Sequence, residues 1–239
     1  MAMKTSPPST LPAAKPDEAR GVPIQSDEIV LAMDPRGRVA EQFRGLRNSI
    51  IALNPEGAPR TVVMTSSASG EGKTVATINL GLALAELPGT EVLLLDANLH
   101  TPGIEDYLGL PRRQGLADVL SGTCALDTAM RATSVDGVQV MGAGNLPDHP
   151  SQLLGSERMR TVLGTLKRGF SYVLIDTPEA LRISDASLLG GIADGIVLVV
   201  RLGVTPRHHV EQTHNTLEAL GGNVLGTCLT GAEDDTSFD

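Results

Sequence analysis

From residue 60 to residue 230 the chain alternates two kinds of apolar pattern. One kind is a short, unbroken run of Val, Leu and Ile. The other is a longer segment in which apolar residues recur every three or four positions. The first predicts strands buried on both faces, and the second predicts amphipathic helices. Buried strands are expected at 60–65, 91–95, 172–175 and 195–200, with a short strand at 138–141 and a last one at 223–229. Helices are expected at 37–53, 75–87, 151–167 and 206–220. In the first of these, Val39, Phe43, Leu46, Ile50 and Leu53 form one stripe. In the third, Ser151 is the expected cap, and Leu153, Leu154, Met159, Val162, Leu163 and Leu166 are the apolar set. The stretch 101–135 reads as irregular, with short helices near 115–120 and 125–130, and 142–150 reads as a loop.

Strand and helix in alternation predict an α/β fold. Its expected core is a parallel sheet with helices on both faces. The expected domain runs over 36–231. Residues 1–35, with Pro7, Pro8, Pro12, Pro16 and Pro23, read as a flexible tail, either a solvated leader or a docking segment. Residues 232–239 read as an acidic, disordered tail.

Composition narrows the classes. Aromatic residues make up only 2% and there is no Trp, so the core must be aliphatic. The net charge of −9 argues against a nucleic-acid partner. Cys124 and Cys228 lie too far apart in sequence to suggest a metal motif or a disulfide framework, and a reduced cytoplasmic setting is expected. His208, His209 and His214 do not have i, i+4 spacing and read as a solvated helix face. No apolar run approaches the roughly 18 residues of a membrane span, so no direct span is expected.

Chemistry concentrates where the first strand ends. Ser67-Ala68-Ser69-Gly70-Glu71-Gly72-Lys73-Thr74 joins that strand to a helix, which is the context of a phosphate-binding loop. Small residues let backbone N–H groups turn toward an anion, and the helix N-terminus adds partial positive charge. Ser69, Gly70, Glu71, Gly72, Lys73, Thr74 and Val75 are the candidate nucleotide-binding set. Lys73 is expected to reach the β- and γ-phosphates, and Thr74 to hold Mg²⁺. The usual loop opens with Gly, where this chain has Ser67.

Two further acids lie at expected strand ends, where α/β sheets bind ligands. Asp96 and Asp176 are each either a plain turn residue or a contact to Mg²⁺ or a bound water. With Lys73 and Thr74 they form the candidate catalytic and metal set, converging at the C-terminal edge of the sheet. In the first helix, Glu41, Arg44 and Arg47 either pair within the helix or form an intersubunit contact. Residues and spacing together reach a Mg-ATP-binding P-loop protein and leave the phosphate acceptor open.

At these residues the chain resembles the bacterial tyrosine kinases, within the wider Min/Par-like class of P-loop NTPases. The resemblance covers about residues 36–230 and rests on several motifs. These are the loop with Glu71 between its glycines, Val173-Leu174-Ile175-Asp176-Thr177-Pro178, Pro150-Ser151-Gln152-Leu153-Leu154-Gly155-Ser156, and Glu41-Gln42-Phe43-Arg44-Gly45-Leu46-Arg47. It implies ATP and Mg²⁺ as cofactors and transfer of the γ-phosphate to protein tyrosine in exopolysaccharide or capsule synthesis and export. It also implies assembly as a homo-oligomer through Glu41, Arg44 and Arg47. A further implied partner is the cytosolic tail of a membrane polysaccharide co-polymerase, a chain-length regulator that would bring a cytoplasmic protein to the membrane.

The chain departs from the family in places. The acidic motif reads Asp96-Ala97-Asn98-Leu99-His100, with Asn98 for an acid and His100 for Arg. Thr230 stands where the family usually has an adenine-reading Asn, and the C-terminal tyrosine cluster is absent. The remaining tyrosines are Tyr107 and Tyr172, of which Tyr172 is expected to be buried. Three readings follow: an active tyrosine kinase, a nucleotide-binding regulator of weak or no activity, and a Min/Par-type partitioning ATPase. The last commonly has an extra Lys early in the loop, which Ser67-Ala68-Ser69 lacks.

Overall fold

The computed structural model describes residues 22–53 and 60–231. In chain order the elements are α1 (Val30–Met33), α2 (Arg38–Ala52), β1 (Thr61–Ser66), α3 (Lys73–Ala85), β2 (Val92–Asp96), α4 (Ile104–Tyr107), α5 (Leu116–Ser121), α6 (Leu126–Ala129), β3 (Arg131–Ala132), β4 (Val138–Met141), α7 (Pro150–Leu154), α8 (Glu157–Gly169), β5 (Tyr172–Asp176), α9 (Asp185–Gly190), β6 (Gly195–Arg201), α10 (Arg207–Ala219) and β7 (Val224–Thr230). The strands form one sheet in the order β3-β4-β2-β5-β1-β6-β7. All neighbours are parallel except the short β3, which pairs antiparallel with β4.

Alternation along each strand divides the core into two layers. Val62 and Met64 of β1, with Val92 and Leu94 of β2, face α1, α2 and α3. Val63, Leu93, Leu95, Val173 and Ile175 face α5, α7, α8 and α9. A strand covered on both faces has no solvent side, which is why β1, β2 and β5 are buried at every position. The core is aliphatic, as expected, and helices cover both faces.

Three expectations need correction. The helix expected over 151–167 is two helices, α7 and α8, separated at Gly155 and Ser156. Ser156, not Ser151, is the side-chain cap, accepting from the Met159 N–H at 3.2 Å. The tail expected over 1–35 includes ordered chain from residue 22. Ile29 and Leu31 are buried, Leu31 N–H donates to Asn79 Oδ1 at 3.1 Å, and Asn79 Nδ2 donates to the Glu28 carbonyl at 2.9 Å. The apolar run Ile29-Val30-Leu31-Ala32-Met33 sits between Pro23, Asp27 and Glu28 on one side and Asp34 and Pro35 on the other, a setting that reads as tail, and its anchor lies on α3. The helix expected over 75–87 begins at Lys73, so Lys73 and Thr74 form its first turn. Residues 1–21 and the acidic tail at 232–239 lie outside the described residues.

Candidate functional site

Parallel pairing aligns the C-terminal ends of β1, β2 and β5 on one edge. Asp176 of β5 is in register with Met64 of β1 on one side and Asp96 of β2 on the other. The loop after β1 enters the same space and ends at α3. Sequence separations of 80 to 100 residues thus collapse into one site.

The loop needs glycine at two points. Gly70 and Gly72 have φ of +78° and +88°, the left-handed region that L side chains avoid. Gly72 is the residue from which α3 starts, so the turn aims the helix N-terminus into the loop. Glu71 between them is buried and braces the loop from inside. Its Oε2 accepts from the N–H groups of Ser67 at 3.0 Å and Ala68 at 3.2 Å. Its Oε1 accepts from the Thr205 hydroxyl, and its carbonyl accepts from Thr230 Oγ1 at 2.7 Å. Arg201 donates to the Gly70 carbonyl at 3.2 Å. Glu71 therefore holds the loop's shape, and its carboxylate is directed away from the phosphate role given to the loop as a whole. Arg201 and Thr205 carry no local sequence signal because they approach from the end of β6 and the turn before α10, and Thr230, noted in the sequence in place of an adenine-reading Asn, hydrogen-bonds the loop backbone from β7.

Thr74 donates its hydroxyl to Asp176 Oδ2 at 2.6 Å. Asp176 Oδ1 is buried and has no hydrogen-bond partner. Asp96 is buried beside it. Its Oδ1 accepts from the Asn98 N–H at 3.1 Å, and its Oδ2 from the N–H groups of Gly103 at 2.9 Å and Ile104 at 3.0 Å. Three donors leave one acceptor position, on Oδ1. Burial pushes the Asp176 acid up to about 7, the charge of Asp96 adds to the rise, and Thr74 and Lys73 oppose it. Burial likewise raises Asp96, to about 6, against its three backbone donors. Two neighbouring carboxylates out of water call for a cation.

The residues present fit Mg²⁺. The orphaned Asp176 oxygen, the Thr74 hydroxyl and the remaining Asp96 position are hard oxygen donors, the type this ion selects. Lys73, also buried, supplies fixed positive charge next to them. Ser69 and Gly70 are exposed at the loop's outer edge, and Val75 is half-buried in the first turn of α3.

The rest of the expected constellation behaves differently. Asn98 folds back on its own loop: its Oδ1 accepts from Thr101 N–H at 3.0 Å and its Nδ2 donates to Thr101 Oγ1 at 3.2 Å. Glu41, Arg44 and Arg47 are not confined to in-helix pairing. Arg44 binds Glu86 at 2.5 Å and Glu41 at 2.6 Å, and Arg47 binds Glu86 at 2.9 Å and the Ala83 carbonyl at 3.0 Å. Glu86, at the end of α3, gave no local signal of this role. Tyr172 is buried in β5. Tyr107 is half-buried beside the site: a Cβ built on Gly103 would lie 3.4 Å from Thr74 Cγ2 and 3.8 Å from Tyr107 Cε2. Among the described residues no cluster of three or more His, Cys, Asp or Glu is grouped to hold a metal.

A glycine-bent loop opening a helix, with a lysine and a threonine facing a strand-end aspartate, defines a P-loop nucleotide-binding protein on a mostly parallel sheet. No protein-family model matches the chain. It is 30% identical over 212 residues to the tyrosine-protein kinase YwqD of Bacillus subtilis, covering 89% of each chain. Its fold matches the chimerical protein CapA2B2 with a TM-score of 0.83 at 27% identity, covering 88% of this chain and 92% of that one. It matches the kinase domain of the Escherichia coli tyrosine kinase ETK with a TM-score of 0.82 at 27% identity, covering 88% and 82%. The chain belongs to the bacterial tyrosine kinase family.

Proposed function

We propose that this protein binds Mg-ATP and transfers the γ-phosphate to protein tyrosine, in the service of exopolysaccharide or capsule synthesis and export. The observation that carries this reading is Asp176: one oxygen bound to Thr74, the other buried and unpartnered at the mouth of the phosphate loop. The names of its relatives, tyrosine-protein kinases, supply the acceptor class.

In this reading the backbone of 69–75 cradles the phosphates and Lys73 neutralises their charge. Thr74, Asp176 and the remaining Oδ1 position of Asp96 hold Mg²⁺. When bound, the ion offsets charge that develops on the transferred phosphoryl group. Asp96 and Asp176 are also the carboxylates that could accept a phenolic proton. Tyr107 is a candidate acceptor in the chain itself. Burial raises its phenol above the ordinary value, with the negative charges of Glu28 and Asp176 adding to the shift.

The reading extends to partners. Copies of the chain associate through α2, with Arg44 and Arg47 exchanging Glu86 for a neighbour's Glu41. The cytosolic tail of a membrane co-polymerase recruits the protein. The CapA2B2 chimera is a related structure in keeping with such a partnership.

One observation favours a second reading, a nucleotide-gated regulator of low turnover. Asn98 brings no charge to the site and spends its amide on Thr101. The test is phosphotyrosine mapping by mass spectrometry after incubation with Mg-ATP and the co-polymerase tail. The kinase reading expects label that Lys73→Met removes. Nucleotide binding without label in any condition selects the regulator.

A further inference from the structure

Asp185 opens α9, and its side chain is 0% exposed. The site described above makes no use of it. Its Oδ1 accepts from the Ser151 hydroxyl, and its Oδ2 lies 3.0 Å from His100 Nε2. An ionised carboxylate only accepts, so the ring Nε2 is the donor. A carboxylate without solvent needs such partners to stay buried at tolerable cost. His100 is 34% exposed, so the contact can be removed without opening the core.

The three residues come from three connections. His100 follows β2, Ser151 follows β4, and Asp185 follows β5. Those strands are neighbours in the sheet. One buried carboxylate therefore ties together the segments that leave three adjacent strands at the edge where Asp96 and Asp176 stand. The segment carrying His100 is the one that shapes Asp96. Its Asn98, Gly103 and Ile104 N–H groups hold the Asp96 carboxylate, and Gly103 packs against Thr74. The phosphate loop is braced separately, by Glu71 with Thr205 and Thr230.

We infer that His100 and Asp185 are positioning residues: their contact holds the 97–103 segment so that Asp96 is oriented for phosphoryl transfer, while the phosphate loop is held separately. The catalytic part rests on the function proposed above. The tether itself does not. Loss of the contact then lowers turnover through Asp96 and leaves the phosphate cradle intact. The requirement is an N–H donor at position 100, so a neutral donor of similar reach suffices.

The test compares the full chain with His100→Ala and His100→Gln by hydrogen exchange, steady-state ATP turnover and ATP binding without Mg²⁺. In His100→Ala, exchange at Asn98, Gly103 and Ile104 rises while residues 67–74 keep their protection. Turnover falls about 10-fold, the scale seen when a partner supporting a site ligand is lost, with the affinity for ATP without Mg²⁺ changed less than about twofold. His100→Gln restores both. Unchanged exchange at 97–103, acceleration spread over the whole chain, a loss of Mg²⁺-free ATP affinity in step with the loss of turnover, or no rescue by Gln would each overturn the inference. A wild-type protein that neither binds nor turns over ATP refutes the proposed function instead, and the exchange data still decide the tether.

Discussion

Thr74 and Asp176 are 102 positions apart in sequence and 2.6 Å apart in space, hydroxyl to carboxylate, with the second Asp176 oxygen left bare. An acid raised on folding costs stability when it ionises. Here the cost is absent below its ordinary 3.8 and complete above about 7. The ligand-free protein should therefore lose stability as pH rises through that interval. Asp176→Asn should flatten the loss and raise the melting temperature at pH 7.5 while abolishing the Mg-ATP-induced shift. Thermal melts of both proteins at several pH values, with and without Mg-ATP, check this.

Glu71 offers a separate test of the loop. Its carboxylate occupies the Ser67 and Ala68 N–H groups, and Ser67 is fully buried. Glu71→Ala strands those donors, at a cost of about 1–3 kcal/mol for a buried group left unpaired. Urea unfolding should show this loss, and ATP affinity should fall with it as the loop loosens.

The Arg44–Glu86–Arg47 cluster joins α2 to the end of α3 within one chain. Glu86→Gln should lower the melting temperature, and Arg44→Ala with Arg47→Ala should do the same. Only the double arginine substitution should also lower the mass seen in light scattering, because it alone removes the groups proposed to meet a neighbour's Glu41. Equal masses for all three proteins would confine the arginines to the intrachain role.

Asp194 supplies a pH dependence of opposite sign. Burial pushes its acid up, but Lys167 and the Thr61 and Arg60 N–H groups pull it down further, to about 2 from an ordinary 3.8. An acid depressed on folding stabilises above its unfolded value, and that contribution disappears as pH falls from about 4 to about 2. Discounted for solvent screening, the contribution is about 1 kcal/mol. Asp194→Asn should cost that much at pH 7 and little at pH 2.5, measured by denaturant unfolding.

Local pattern was enough to find every strand but the two-residue β3, which lies in a stretch read as irregular, and to find the phosphate loop and the two strand-end acids. Each has a short-range cause: unbroken apolar runs, glycines before Lys73, an aspartate where a run stops. What escaped depends on distant partners. Arg44 and Arg47 read as an in-helix or intersubunit set, without their intrachain partner, because Glu86 is about 40 positions away. Neither Asp185 nor α9 was singled out in the sequence, because the role of Asp185 depends on His100 and Ser151, which only the fold brings to it. The break at Gly155 and Ser156 was overlooked because apolar residues on both sides kept a helical rhythm. Ser156 followed by Glu157 was the available clue, a capping serine with an acid in the first turn.

The most direct test of the nucleotide site is calorimetric titration of ATP with and without Mg²⁺, on the wild type, Lys73→Met and Asp176→Asn. The account predicts that Mg²⁺ tightens ATP binding to the wild type, that Lys73→Met removes binding, and that Asp176→Asn loses the Mg²⁺ effect. An undiminished Mg²⁺ effect in Asp176→Asn, or unchanged affinity in Lys73→Met, would contradict it.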